Sequence, residues 1–461
     1  MDPGNYSTSV SAGANYQYKL LFAVFLSNVY AVLLQSLCIK LGSVTGLDLA
    51  HNCRKNLPTW LNLTLYAFAE LAIIATDLAE VVGTAIALEI LFNIPFFYGI
   101  ILTILDVLIV LLAYKPDSHS MRNVRSFEIF VGIFVLATCV CFVIELTKID
   151  VKSHWDLFKG FLPSKQLTEE KGLYLSLGIL GATVMPHSLY IGSSLVQSRL
   201  KDFDYSKSSV KSSKNYKPTI NALRYCLNYS YAELIISLFL IATFVNSAIL
   251  IVSGATLFGK SDADDADLLS IYEMLSRYIS PTAGLIFALA MLFSGQSAGI
   301  VCTMAGQIVS EGFIEWNFQP WIRRLVTRFI AIIPCLIVTF TTGRKGIADI
   351  LNASQVVLSL ILPFVSAPLI YFTTFKKYMQ VDITEEWDQP ENALISSYGS
   401  ISEDIGPITD HDSIVSNKIT KTVDFSNGKL LTLLAILTWG SITFFNFYLI
   451  LSFLMGKDVH F

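Results

Sequence analysis

Two short stretches of the chain combine a helix-breaking proline with side chains that can bind a cation. They are Asp2-Pro3-Gly4-Asn5 and Ala182-Thr183-Val184-Met185-Pro186-His187. Asp2 offers a carboxylate, Asn5 an amide carbonyl and Met185 a thioether. Pro186 cannot complete the helical ladder, so the Ala182 backbone carbonyl becomes a further candidate ligand. A soft sulfur beside oxygens favours Mn, Fe, Co or Cd over Mg or Ca, which prefer shells of oxygen alone.

Both stretches meet apolar sequence that predicts membrane helices. In a bilayer, backbone groups freed by a break need partners, so such breaks persist only where they line a cavity within the protein. Two interrupted segments in corresponding positions of two halves indicate a transporter site built from inverted repeats. Singly, each residue has a plainer interpretation, since a methionine packs and a proline kinks a helix. The combination favours a metal site.

A second group of polar residues lies within one apolar stretch, residues 64–92. It contains Glu70, Asp77 and Glu80. At about 100° per residue, Asp77 lies about 20° and Glu80 about 80° from Glu70 around the helix, so all three share a face. A carboxylate at the centre of a membrane helix costs about 2.5–3.5 kcal/mol on insertion scales. These residues therefore indicate a proton route, with a structural polar cluster as the alternative.

His187 follows the candidate ligand Met185 on the same broken helix. Its unperturbed pKa of about 6.5 suits proton exchange. A dication disfavours a nearby proton. We therefore expect metal arriving at Asp2 and His187 to expel a proton toward Asp77.

Three arginines could continue this route toward the cytoplasm. Arg199, Arg323 and Arg324 lie near predicted helix ends, where they could pair with the membrane carboxylates. The alternative makes them anchors that keep their loops on the cytoplasmic side. For Arg323 and Arg324, the sequence leaves both interpretations open.

The composition of the chain indicates that these helices lie in a membrane. Hydrophobic residues make up 53% of the 461-residue chain and charged residues 15%, with a mean hydropathy of +0.58, whereas soluble domains carry about 25% charged residues. Ten apolar stretches are long enough to span a bilayer. They are residues 19–42, 64–92, 94–114, 127–147, 172–198, 226–253, 281–307, 325–341, 347–375 and 429–455. No room is left for a soluble catalytic domain, and a net charge of -4 implies no nucleic-acid partner.

Loop charges set the predicted orientation. The connection 199–224 is strongly basic and the connection 254–280 is acidic, which places the first in the cytoplasm and the second on the outer side. The polar segment 376–428 is predicted to be a disordered cytoplasmic loop.

The breaks and spans together predict an all-α integral membrane protein. The first break opens helix 1, and the second lies in helix 6, five helices later, as in a five-plus-five inverted repeat with an eleventh helix added. We expect a transport core over 1–375, with repeats over 1–149 and 172–375. The polar loop 376–428 and an eleventh helix within 429–461 complete the chain.

Five motifs of the chain resemble those of the Nramp metal transporters, in the same order. They are Asp2-Pro3-Gly4-Asn5, the stretch 75–83, Met185-Pro186-His187, the stretch 295–313 and the stretch 354–359. Within that family the chain is most similar to the fungal vacuolar branch, which releases iron from the vacuole.

The resemblance implies a LeuT-type fold and assigns residues to roles. It places the metal on Asp2, Asn5, Met185 and the Ala182 carbonyl, with Gln355 joining in some conformations. It also implies that Asp77 receives a proton, which Glu80, Glu70 and the arginines pass on.

The chain departs from this family at its start. Nramp members carry a half-helix before the Asp-Pro-Gly, which contributes a carbonyl ligand and part of the inner gate. The given sequence begins at the end of that half-helix, so we expect it to be truncated there. A charged amino terminus beside Asp2 would otherwise lie near the bilayer midplane.

The sequence therefore predicts a proton-coupled transporter of Fe²⁺ or Mn²⁺ into the cytoplasm, with the metal, protons and lipid bilayer as its partners and no cofactor. We expect the vacuolar membrane, with the plasma membrane or an endosome as alternatives. A metal sensor that does not transport is the second hypothesis, favoured by the missing half-helix. An amino-acid transporter of this fold fits Met185 and Asp2 poorly. An enzyme is not expected, because the sequence shows no nucleophile–base set.

Overall fold

The chain folds into a bundle of long apolar helices and several shorter ones, and the predicted span 172–198 is interrupted within it. The computed structural model describes residues 2–113, 121–149, 151, 153–207, 218–259, 268–278, 280–315, 320–341, 345–383 and 421–455. The helices of the first half are α1 (Pro3–Tyr16), α2 (Leu21–Thr45), α3 (Leu49–Asn56), α4 (Thr59–Phe92), α5 (Phe96–Ala113), α6 (Met121–Lys148) and α7 (His154–Gly160).

The second half repeats this pattern of long helices. Its helices are α8 (Glu170–Thr183), α9 (Pro186–Lys207), α10 (Ile220–Leu234), α11 (Thr243–Thr256), α12 (Leu268–Tyr278), α13 (Pro281–Ile314), α14 (Pro320–Thr341), α15 (Lys345–Thr374) and α16 (Lys429–Leu454). A π-helical segment, Ile235–Ala242, joins α10 and α11 into one continuous helix. Short 3₁₀ turns occupy Lys165–Thr168 and Lys376–Tyr378.

Eight helical spans of the described residues are long and apolar enough to cross a membrane. They correspond to eight of the ten predicted stretches. Of the other two, 325–341 is a shorter apolar helix within α14, and 94–114 corresponds to α5, where the side chains of 105–113 lie outside the description. On α16 the large side chains Phe444, Phe447 and Leu454 are more than 60% exposed, as expected of a surface that faces lipid.

The predicted break within the span 172–198 is present, and α1 begins directly after Asp2. The backbone of Asp2 is extended, and its carboxylate caps α1 by accepting a hydrogen bond from the Asn5 amide at 3.0 Å. Pro3 occupies the first turn of α1, where its missing N–H costs nothing. Helix α8 ends at Thr183 and α9 begins at Pro186, so the proline marks the break for the same reason.

Two apolar cores hold the helices together. One includes buried side chains of α2, α8, α15 and α16. The other joins α1 and α6 to α11 and α13, with Tyr6, Phe142, Ile249 and Met291 among its members. Helix α1 contributes buried side chains to both cores and α8 to the first, which fixes the polar residues at their ends.

The prediction of disorder over the whole segment 376–428 is wrong at both of its ends. Strands β1 (Gln380–Ile383) and β2 (Lys421–Asp424) form an antiparallel pair with Gln380 opposite Asp424. Beside the pair, Met379 is fully buried and accepts a hydrogen bond from the Phe425 amide at 2.9 Å. Isolated apolar residues within polar sequence therefore anchor the two ends, while 384–420 lie outside the described residues.

Candidate metal site and ion-pair track

The two helix breaks meet at a buried cluster of polar groups. The Asn5 Nδ2 donates hydrogen bonds to Asp2 Oδ1 at 3.0 Å and to the Ala182 carbonyl at 3.2 Å. Asn5 and Ala182 are 177 residues apart in sequence. Three predicted metal ligands are therefore brought together, and the amide hydrogens of Asn5 lie between the two acceptors that a cation would bridge.

Two further oxygens in this cluster lack hydrogen-bond donors. Within the described part of the chain, Asp2 Oδ2 and Gln355 Oε1 are buried without a partner. Gln355 is fully buried and lies directly over Gly4, where a β-carbon would come within 2.3 Å of the amide carbon of Gln355. Buried acceptors without donors are rare. Their chemistry fits a cation, and the structure thus places Gln355 beside α1.

Met185 lies in the two-residue gap between α8 and α9, and it is half-buried. Its carbonyl accepts hydrogen bonds from the Ser188 amide at 3.0 Å and the Ser188 hydroxyl at 2.7 Å, which leaves its thioether as the available donor atom. The described residues contain no group of three His, Cys, Asp or Glu side chains that could hold a metal. A cation at this site would therefore be bound by mixed oxygen and sulfur donors around one carboxylate.

His187 connects the metal cluster to α4. Its ring is 2% exposed, and Nδ1 lies 3.4 Å from the Thr76 hydroxyl. Thr76 precedes Asp77 in the chain. The predicted proton acceptor thus lies one residue from the group that the histidine contacts.

The carboxylates of α4 form ion pairs with α14. Arg328, which is 0% exposed, pairs with Glu80 and has its Nη1 3.9 Å from Asp77 Oδ1. Nearer the start of α4, Arg323 pairs with Glu70 at 2.5 Å. One face of α4 therefore carries a line of ion pairs from the centre of the protein toward the predicted cytoplasmic end.

The expected partner of Arg199 is different. We predicted that it pairs with the carboxylates of span 64–92, but the structure pairs it with Glu233 on α10, with its guanidinium 5.6 Å from the Tyr229 ring. The α9 helix turns this side chain toward α10, which the sequence pattern does not encode. The side chain of Arg324 lies outside the described residues.

Two buried charged residues were not among the predicted site residues. Arg328 lies inside the predicted span 325–341, and Glu145 lies inside the span 127–147. Both are fully buried. An ionisable residue within an apolar span is a functional candidate by default, so this signal was present for each.

Close packing at Gly181 positions the site and gives a testable prediction. A β-carbon at Gly181 would lie 2.0 Å from the Gln355 carbonyl oxygen. Because the obstacle is a backbone atom, Gly181→Ala should push α8 away from α15 and misplace Ala182. Metal uptake should then fall by tenfold or more, which corresponds to about 1.4 kcal/mol in barrier height. The measurement is Mn²⁺ uptake into proteoliposomes at matched protein density.

Gly440→Ala on α16 is the matched control. No described atom lies within 4 Å of a β-carbon at Gly440, so this variant should keep wild-type uptake. Normal uptake by Gly181→Ala would show that the α8–α15 contact does not position the site.

Long apolar helices, one of them interrupted, that meet at a buried cluster of polar groups are typical of a transporter of the LeuT-type fold. Residues 1–395 match the family described as natural resistance-associated macrophage protein-like. The chain therefore belongs to the Nramp family, as the motifs indicated.

Similar proteins agree with this assignment. The chain is 61% identical to the iron transporter SMF3 of Saccharomyces cerevisiae, over 100% of this chain and 95% of that protein. It is 50% identical to the manganese transporter SMF1 of the same yeast, over 98% of this chain and 83% of SMF1. These relatives are named as metal transporters, and the chain is accordingly a metal transporter of a multi-pass membrane family.

Solved structures show the same fold. The manganese transporter of Eremococcus coleocola, in complex with an aromatic bis-isothiourea compound, superposes with a TM-score of 0.74 at 31% identity, covering 97% of this chain and 82% of that one. Mhp1, a nucleobase-cation-symport-1 family transporter, is 12% identical with a TM-score of 0.53, covering 80% of this chain and 75% of Mhp1. The second likeness concerns the fold alone, which confirms the predicted LeuT-type architecture.

Proposed function

We propose that the protein carries Fe²⁺ or Mn²⁺ into the cytoplasm together with protons, by alternating access around the site between α1 and α8. The observation that carries this proposal is the contact of Asn5 with both Asp2 and the Ala182 carbonyl. It unites the two helix breaks in one buried site of mixed donors. The likeness to an iron transporter at 61% identity supports iron as a cargo, and the likeness to SMF1 supports manganese.

The site can accept a cation by a small rearrangement. When metal arrives, the Asn5 amide turns so that its oxygen, rather than its nitrogen, faces Asp2 and Ala182. The buried Asp2 and Gln355 oxygens then gain the partner that they lack, and the Met185 sulfur completes a shell suited to a borderline-soft ion.

The proton takes a separate route along α4. A dication at Asp2 disfavours protonation of nearby His187. The proton passes by Thr76 to Asp77, and the Arg328 and Arg323 pairs hold the remaining carboxylates of the track in place. Separate routes let a metal and a proton move in the same direction without competing for one carboxylate.

The experiment that tests this function is pH-dependent uptake of Mn²⁺ or Fe²⁺ into proteoliposomes containing the full chain. We expect saturable uptake that increases when the outside is acidified. In Asp77→Asn, metal uptake should persist while the accompanying proton flux falls by tenfold or more, since general acid–base groups contribute about that much or more. Internal pH is followed with a trapped dye.

The outcomes separate three hypotheses. Normal proton flux in Asp77→Asn would refute the route along α4. Metal binding without uptake by the wild type would favour the metal sensor. We further propose that the protein resides in the vacuolar membrane, and co-migration of a tagged chain with vacuolar rather than plasma-membrane or endosomal markers tests this.

A further inference from the structure

Glu145 on α6 is buried where neither the metal site nor the α4 track uses it. It is 0% exposed, and both carboxyl oxygens lack a hydrogen-bond partner among the described residues. By the predicted orientation, α6 runs toward the outer side, and Glu145 lies about 4.5 Å below its last residue, Lys148.

The surroundings of Glu145 are mostly apolar. Its helix neighbours Phe142, Leu146 and Ile149 belong to the core shared by α1, α6, α11 and α13. Across the interface, the Tyr6 ring of α1 lies 5.6 Å from Phe142. The face of α6 that carries Glu145 therefore packs within this shared core, and the Tyr6 side chain of α1 contacts it at Phe142.

Among the described residues, few charged or titratable groups act on this carboxyl. On its own helix they are Cys141, one turn before it, and the exposed Lys148. From α1, the phenol of Tyr6 lies within electrostatic range, and its hydroxyl donates to the Ala290 carbonyl at 3.1 Å. The described parts of α11 contain no titratable side chain, and those of α13, Cys302 and Glu311, lie toward its other end.

An ionised carboxylate cannot remain in such a place without a large penalty. Burying an unpaired ion costs several kcal/mol, even after the protein relaxes, and such a group becomes neutral instead. If α1 moves away from α6, water reaches the carboxyl and the ionised form becomes stable. Sealing the outer path then requires a proton on Glu145.

We infer that Glu145 is a proton-binding site on the outer side, and that the transporter takes up one proton there each time its outer path closes. This inference rests on the proposed alternating access. It adds a second proton site to the one on Asp77, one that controls closure of the outer path rather than release to the cytoplasm. The direction of the pH effect follows from this: low outer pH favours the closed form, and high outer pH favours the open form.

Cys141 provides a reporter for this opening. It lies four residues before Glu145, on the same face of α6, and its thiol is free and half-buried. A membrane-impermeant methanethiosulfonate reagent, applied from outside to full-length protein in liposomes, should modify it faster when α1 moves away. Subtracting the signal of Cys141→Ser assigns the modification to this thiol.

Uptake of one proton on closure predicts the pH dependence. The open-to-closed ratio should rise about tenfold per unit as outer pH increases above the titration range of the exposed carboxyl. Glu145→Gln is neutral and nearly isosteric. In this variant the modification of Cys141 by the reagent should therefore depend on outer pH less steeply than in the wild type, by up to about tenfold per pH unit.

Two variants complete the test. Glu145→Asp keeps a titratable group and should keep the steep dependence. Glu273→Gln, at an exposed carboxyl on α12, should behave like the wild type. Equal pH dependence in Glu145→Gln and the wild type would overturn the inference.

The outcome remains clear if Glu145→Gln fails to fold. The wild type and Glu145→Asp then suffice. If modification of Cys141 in both proteins shows only the pH dependence expected of a thiol, the inference is also overturned. The labelling needs no metal, so failure of the wild type to carry Mn²⁺ would refute the proposed function separately.

Discussion

Asp2→Asn should lower the affinity for Mn²⁺ by at least about a hundredfold, since loss of even an outer-shell partner costs 10–100-fold. The substitution removes the one carboxylate of the site and keeps an equally good helix cap. Because Asp2 Oδ2 is buried without a partner, removing the charge should leave the metal-free fold as stable as before or slightly more stable. Isothermal titration gives the affinity, and thermal unfolding in detergent gives the stability.

Asp48→Asn is the matched control for this prediction. Asp48 caps α3 and accepts a hydrogen bond from the His51 amide at 2.9 Å, so the same substitution is made at a similar cap away from the site. It should leave metal affinity unchanged. If Asp2→Asn binds Mn²⁺ as tightly as the wild type, Asp2 is not a ligand.

Arg328→Met should destabilise the protein by about 3–5 kcal/mol, the usual effect of removing one partner of a buried ion pair. The arginine is 1% exposed beside Glu80 at 2%, and Asp77 is equally enclosed. Both carboxylates lose their nearby cation. Combining Arg328→Met with Glu80→Gln should recover most of the loss, which a double-mutant cycle of unfolding free energies measures.

Arg323→Met provides the comparison within the same track. The side chains of Arg323 and Glu70 are partly exposed, at 14% and 18%. Removing this pair should therefore lower the free energy of unfolding by about 1 kcal/mol, as for surface pairs. Similar effects at Arg323 and Arg328 would show that burial does not determine the strength of the pairing.

The helix breaks and the acidic face of α4 could be predicted because each is a local departure from a strict rule. A membrane helix is apolar and unbroken, so Pro186 and the carboxylates at 70, 77 and 80 stand out without knowledge of any neighbour. The structure places these residues together as the pattern required. The Nramp motifs added Gln355, which a helical pattern alone gives no reason to select.

Partner choice between helices could not be predicted in this way. Arg199 was expected beside the α4 carboxylates, yet it pairs with Glu233, because helix rotation and packing decide which faces meet. Arg328 and Glu145 each lie within an apolar span. Only the neighbouring helices reveal that Arg328 is paired, and that the Glu145 oxygens lack a hydrogen-bond partner among the described residues. The strands at 380–383 and 421–424 likewise depend on pairing across a long separation in sequence.

The Asn5 amide has a consequence for selectivity. It bonds to Asp2 and Ala182 at 3.0 and 3.2 Å, so in the proposed mechanism it acts as an internal competitor for the positions of the cargo. An incoming ion must displace two hydrogen bonds, and only an ion that interacts strongly with carboxylate, carbonyl and thioether together can do so. A weakly coordinating monovalent ion faces the same barrier with less to gain. Discrimination then comes from this threshold as well as from the fit of the cavity.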